Sequence, residues 1–232
     1  MIDALTPSEW EAIRLSIRIA VVAMIASLPF GIAVAYLLAR CRFPGRTLVD
    51  GIVHLPLVMP PVVTGYLLLL LFGRRGPIGA FLESTFGIVL AFRWTGAALA
   101  CAIMGFPLMV RAIRLSIEAI DLRLEAAAST LGASRTAVFA TITLPLMLPG
   151  ILAGMVLSFA RALGEFGATI TFVGNIPGVT QTIPTAIYTY TQVPGGDVGA
   201  LRLTAISIAI SLAALVASDV LARRMTRRML GQ

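Results

Sequence analysis

Five mostly apolar runs of about 20 residues dominate this chain and leave it few possible folds. They are Ile13–Ala39, Gly51–Phe72, Trp94–Ile113, Pro145–Leu163 and Leu201–Ala222. A run of that length crosses the hydrocarbon core of a bilayer as one helix. The pattern predicts an all-α integral membrane protein with five transmembrane helices. Composition agrees, since 58% of the residues are hydrophobic and mean hydropathy is +0.95, whereas soluble domains average roughly 45–50% apolar. The run Phe86–Phe92 is too short to span and is expected at the interface.

Arginine placement orients the spans, because loops on the cytoplasmic side carry an excess of positive residues. Arg40, Arg42 and Arg46 follow the first run. Arg111, Arg114, Arg123 and Arg135 follow the third, and Arg223, Arg224, Arg227 and Arg228 follow the fifth. With five spans these regions share one side, so the N-terminus is expected outside and the C-terminus inside. Arg74, Arg75 and Arg93 oppose this and are outnumbered. The expected divisions are a periplasmic segment 1–12, a transmembrane domain 13–222 and a cytoplasmic tail 223–232. The start of the chain, with Asp3, Glu9 and Glu11, lacks the basic opening of a signal peptide. Thr6-Pro7-Ser8-Glu9 instead reads as a capping box with proline at the first helical position.

Several function classes fall away. The net charge of +7 comes from arginines scattered between apolar runs, with no basic face for nucleic acid. Cys41, Cys101 and the lone His54 suggest neither a disulfide nor a metal site. His54 reads as a packed residue at a helix start. No phosphate-binding Gly-rich Lys-Ser/Thr motif is present and no nucleophile–base constellation appears, so the chain is not expected to be an enzyme.

The third and fourth runs are separated by a polar, small-residue loop, 114–144, with Glu118, Asp121, Arg123, Glu125 and Arg135. Leu122–Leu131 predicts a short helix containing Leu124, Glu125, Ala126, Ala127 and Ala128. Gly132 stands where a left-handed C-terminal cap is wanted, and glycine adopts that conformation cheaply. After Ala133, Ser134 can cap a second short helix, Arg135–Thr143, which Pro145 bends into the fourth span. The product is two angled helices projecting from the membrane, with a smooth alanine face that suits a groove on a partner.

The second run holds Pro56, Pro60 and Pro61, with Thr64 and Gly65 beyond, so it is expected to kink or unwind. The freed carbonyls suit either a substrate path or a packing kink. Gly150, Gly154 and Ser158 form a small face on the fourth span, and Ser207, Ser211, Ala214 and Ser218 form one on the fifth. Both favour close helix packing. Arg161 and Glu165, four apart, neutralise each other and suit a gate or structural tie better than a tight dianion site. From Gly164 to Ala200, glycines, prolines, threonines and tyrosines predict irregular backbone with one short helix near Pro184–Thr191. Pro60, Pro61, Thr64, Ser158, Arg161, Glu165, Thr169 and Thr171 are the path or gate candidates.

The segment from Glu125 to Leu144-Pro145 resembles the cytoplasmic Glu-Ala-Ala loop of type I ABC importer permeases. That pattern usually places its glutamate six residues before the glycine. Glu125 lies seven before Gly132, and Ala126 holds the usual position, a shift similar to the molybdate branch. His54-Leu55-Pro56-Leu57-Val58-Met59-Pro60-Pro61, Phe106-Pro107-Leu108-Met109-Val110-Arg111 and Gly164-Glu165-Phe166-Gly167-Ala168-Thr169 carry the same resemblance. It implies a permease that moves an oxyanion by alternating access in the bacterial inner membrane. The implied partners are a second copy of the chain, two ABC ATPase subunits and a periplasmic oxyanion-binding protein. Leu124, Glu125, Ala126, Ala127, Ala128, Gly132, Ala133 and Ser134 would couple to the ATPases. ATP and magnesium would belong to those subunits, with no cofactor in this chain.

Molybdate, tungstate and sulfate stay open, since they are tetrahedral dianions of similar size. An ion-coupled secondary transporter would usually show internal repeats and intramembrane acids. A passive anion channel would have no need of the loop.

Overall fold

The computed structural model describes residues 5–229. Among these every regular element is helical. α1 (Pro7–Arg40) begins on the expected capping box, with the Glu9 amide donating to Thr6 Oγ1 and the Thr6 amide donating to Glu9 Oε2. The helix thus starts at Pro7, the first helical position that the capping box implies. α2 (Arg46–Val58) and α3 (Pro61–Phe72) divide the second run, and α4 (Pro77–Phe86) follows as an unexpected short helix. α5 (Trp94–Glu118) is the third span. α6 (Leu122–Thr130) and α7 (Arg135–Val138) form the projecting loop. α8 (Leu144–Leu163), α9 (Gly167–Val173), α10 (Ile183–Thr191) and α11 (Asp197–Met229) complete the chain. Four segments are long and apolar enough to cross a membrane alone, and the bent α2–α3 pair has the length and apolarity of either a broken fifth span or a re-entrant loop.

The expected kink is a full break. Met59 and Pro60 are extended, and α2 meets α3 at 112°. Pro60 and Pro61 lack the amide donors that would continue α2, so α3 restarts with Pro61 at its first position. Pro145 acts differently from expectation. The chain from α7 passes into α8 through a π turn, Phe139–Thr143, with no separate bend. Pro145 has no N–H for the Thr141 carbonyl, and the wider turn accommodates its ring.

α5 is the central post, packed against α1 on one side and α8 on the other. Ile19, Ala20, Ala23, Ala97, Cys101, Met104 and Phe172 fill one half of the core. Leu38, Met109, Ile113, Ile117, Met147 and Ile151 fill the other. The small face of α8 lies directly on α5. A Cβ on Gly105 would fall 2.5 Å from Ser158 Oγ, and one on Gly154 would fall 3.0 Å from the Met109 carbonyl. Ser158 is fully buried at this crossing. Ser207, Ser211 and Ala214 lie on the half-buried face of α11, whereas Leu201, Ile208, Leu212 and Leu215 are exposed. The side chains of Ser218, Arg223, Arg224, Arg227 and Arg228, and residue Asp3, lie outside what is described.

The Gly164–Ala200 stretch is more ordered than its composition implies. α10 falls where one helix was expected, and α9 is an additional one. His54 sits inside α2 and not at its start, with Nδ1 at 2.9 Å from the Asp50 carbonyl.

Candidate coupling loop and membrane break

The loop is built from local capping bonds. Asp121 is the N-cap of α6 and its Oδ1 accepts from the Arg123 amide at 2.9 Å. Gly132 has φ +86°, so a left-handed residue closes the helix. The Gly132 amide donates to the Ser129 carbonyl and the Ala133 amide to the Ala128 carbonyl, the paired bonds of a Schellman cap. Ser134 then caps α7, accepting from the Ala137 amide at 3.3 Å. The expected helix–glycine–helix shape is present.

The loop has two unlike faces. Leu122, Leu124 and Leu131 are 61%, 49% and 89% exposed, and Ala126 and Ala127 are exposed beside them. Glu125 turns the other way. Its Oε1 accepts from Arg40 Nη2 at 3.0 Å and from Thr143 Oγ1 at 2.8 Å. Arg40 ends α1, and Thr143 is a buried residue in the π turn leading into α8. Glu125 therefore ties α6 to two membrane helices, and the apolar side chains form the outward face. Nothing in the local sequence marks Arg40 as its partner, because 85 residues separate them.

The path candidates gather around two breaks that touch. Gly167 opens α9, and a Cβ there would lie 2.8 Å from Pro61 Cβ at the start of α3. Gly65 lies against Ala168, where a Cβ would approach Cα to 2.8 Å. Thr171 packs beside it, and Thr64, the residue before Gly65, is buried. The sequence reading missed this role of Gly65 and Gly167 because α9 itself was unforeseen.

Glu165 occupies the joint between α8 and α9 and is 1% exposed. Its Oε2 lies 2.7 Å from Arg161 Nη1, and its Oε1 accepts from the Ala168 amide at 2.8 Å. A buried carboxylate demands such compensation. Here it neutralises a cation and caps a helix at once, the geometry of a structural tie. Thr169 and Thr171 donate to the Phe166 and Gly167 carbonyls at 2.9 and 2.8 Å. Their hydroxyls thus satisfy α9's own backbone. The structure brings Pro61, Thr64, Glu165, Thr169 and Thr171 together, with Arg161 joined through Glu165. Ser158 lies below them in the α5–α8 contact, and Pro60 stays exposed at the bend.

A further network links α2 to α5. Asp50 Oδ1 lies 3.0 Å from Arg114 Nη1, and Glu118 Oε1 accepts from Arg114 Nε at 2.8 Å. Arg114–Glu118 and Asp50–His54 are i,i+4 neighbours on their own helices, whereas Asp50–Arg114 joins two helices.

Broken and continuous membrane helices around one post, with a capped two-helix projection, define the membrane-embedded subunit of a transporter. The chain belongs to the family of binding-protein-dependent transport system inner membrane components, whose family model matches residues 27–227. It is therefore a multi-pass inner-membrane permease subunit. It is 62% identical over 219 residues to the molybdenum transport system permease protein ModB of Escherichia coli K12, covering 94% of this chain and 96% of that one. It is 57% identical to ModB of Haemophilus influenzae, covering 97% of each. A sulfate transport system permease protein, CysW of Synechococcus elongatus, is 42% identical over 75% of this chain and 60% of its own length. Among solved structures, a bacterial ABC transporter that imports alginate superposes with TM-score 0.75 at 20% identity, covering 96% of this chain and 81% of that one. An inward-facing methionine ABC transporter superposes with TM-score 0.68 at 16% identity, covering 95% of each. These likenesses support the fold.

Proposed function

We propose that this chain is the permease subunit of an ATP-driven molybdate importer. The supporting observation is the near full-length likeness to molybdenum permeases at 62% and 57% identity, which exceeds the 42% identity to the sulfate permease. Two copies enclose the path, two ATPase subunits dock on the two loops, and a periplasmic binding protein delivers the oxyanion. The N-terminus lies outside and the C-terminus inside.

The exposed Leu122, Leu124, Ala126, Ala127 and Leu131 surface is the ATPase contact. ATP binding in the partner, with magnesium, draws the ATPases together and moves α6. Glu125 carries that movement to Arg40 at the end of α1 and to Thr143 at the foot of α8. α5 and α8 move as one body because their glycine contacts interlock. The paired break at Pro61 and Gly167 is the weak point where the membrane halves rearrange, with Arg161–Glu165 holding its shape. Exposed apolar faces on α3 and α11 are the surfaces that a second copy and lipid cover.

The test is co-purification with the ATPase subunit, comparing the intact chain with a variant lacking residues 122–134. The complex is expected to be lost while the variant still inserts in the membrane. A complex that survives the deletion moves a secondary transporter or channel forward. Vesicle uptake with binding protein then separates molybdate from tungstate and sulfate.

A further inference from the structure

Near the start of α1 one carboxylate has a defined cation partner. Glu9 is buried and accepts from Arg202 at 2.9 Å. Arg14 and Arg18 present the opposite case. They lie one turn apart on α1, so their side chains share a face. Among the described residues neither has a carboxylate oxygen within 4.0 Å, in contrast to Arg40, Arg114, Arg161 and Arg202.

Both line a cavity of about 190 Å³ with Glu11, Trp94 and Gly178. Arg18 Cζ sits 3.8 Å from the centre of the Trp94 ring. Trp94 is the first residue of α5, a membrane span, so this guanidinium lies at the level where the span ends. That level is the headgroup region, where tryptophan belts and the charged ends of long side chains collect. Gly178, at φ +72°, brings the loop before α10 over the cavity, and a Cβ there would lie 3.3 Å from Glu11 Oε2.

We propose that the Arg14–Arg18 cavity binds one tetrahedral oxyanion at the membrane surface, as the phosphate of a phospholipid headgroup or as a soluble oxyanion of the same shape. Two guanidinium forks against one carboxylate leave a net positive cavity, and planar forks match phosphate oxygens in pairs. A water occupies about 30 Å³ of liquid, so the cavity has room for an oxyanion and some water. The site stands apart from the paired break and does not depend on which membrane face this end occupies. The headgroup is the favoured source because Trp94 of α5 and the exposed Ile17 of α1 offer apolar surface beside the arginines, suited to the acyl chains of a bound lipid.

The test uses delipidated permease in detergent, titrated with dioctanoyl-phosphatidylglycerol, with inorganic phosphate and with molybdate, against chloride at equal ionic strength. Binding is read by native mass spectrometry and by the shift in unfolding temperature. Phosphatidylglycerol is expected to bind wild type and to bind R14Q/R18Q about tenfold more weakly. Glu11→Gln removes the one carboxylate lining the cavity and is expected to bind about threefold more tightly. Because E11Q is a gain, it decides the matter even if the double variant fails to fold. Phosphate or molybdate following the same variant order, without a lipid response, assigns the cavity to a soluble oxyanion. Equal binding of every probe by wild type and R14Q/R18Q, or weaker binding by E11Q, overturns the proposal. Transport loss with these binding results unchanged would instead bear on the proposed import function.

Discussion

Two single residues carry the loop's geometry, and they fail in different ways. Gly132→Val places a β-branched side chain at φ +86°. No heavy atom beyond its chain neighbours lies within 4 Å of the new Cβ, so the cost is backbone strain of about 1–3 kcal/mol and not a clash. ATP-driven uptake in vesicles should fall severalfold while membrane insertion is unchanged; full uptake would remove the hinge from the account. Glu125→Arg sets two cations against each other at Arg40 and leaves the Thr143 hydroxyl without its acceptor. The pair is partly exposed, with side chains 15% and 22% accessible, so the loss is about 1–2 kcal/mol. ATPase association should weaken and be restored in part when Arg40→Glu is added. An R40E/E125R double variant no better than E125R alone would show that Glu125 acts by contacting the partner directly.

At the scale of helices, the α3–α9 contact depends on the absence of side chains. Gly65→Leu would drive a Cβ to within 2.8 Å of Ala168 Cα, where backbone cannot yield cheaply. Overpacking of this kind costs about 1–3 kcal/mol, here concentrated at the break. The variant should insert yet transport poorly, with a lower unfolding temperature; wild-type values of both would mean that α3 and α9 are loosely coupled. Apolar run length predicted α1, α5, α8 and α11, because a long apolar run carries its own signal. α4 and α9 were not legible. α9 is seven residues of mixed Gly, Ala, Thr and Phe, too short to show a hydrophobic period, and its start is capped by a glutamate, Glu165, and not by one of the usual short capping residues. Pro145 misled for a different reason. A proline marks a lost hydrogen bond, but whether the helix bends or widens depends on its neighbours.

For the whole molecule, the exposed leucine and valine surfaces of α3 and α11 predict assembly. The detergent-solubilised permease core should scatter light as twice the 24.5 kDa chain mass. A single-chain mass under conditions that retain ATPase binding would place the path within one copy. Ion pairs between distant elements, Arg40–Glu125, Asp50–Arg114 and Glu9–Arg202, decide how the spans stand relative to one another. None of these partners was legible, since opposite charges far apart in a chain carry no mark of which will meet.

The sequence by itself determined the membrane class, the four long apolar helices, the cap at Thr6, the break near Pro60 and the helix–glycine–helix loop. Each follows from hydrophobic run length or from backbone limits of proline and glycine, which act over a few residues. Tertiary structure alone decided that Glu125 faces inward, that the breaks at Pro61 and Gly167 meet, and that Arg14 and Arg18 share a cavity. Those outcomes require surfaces from separate helices to come within a few ångströms, and only the packing around α5 sets that distance.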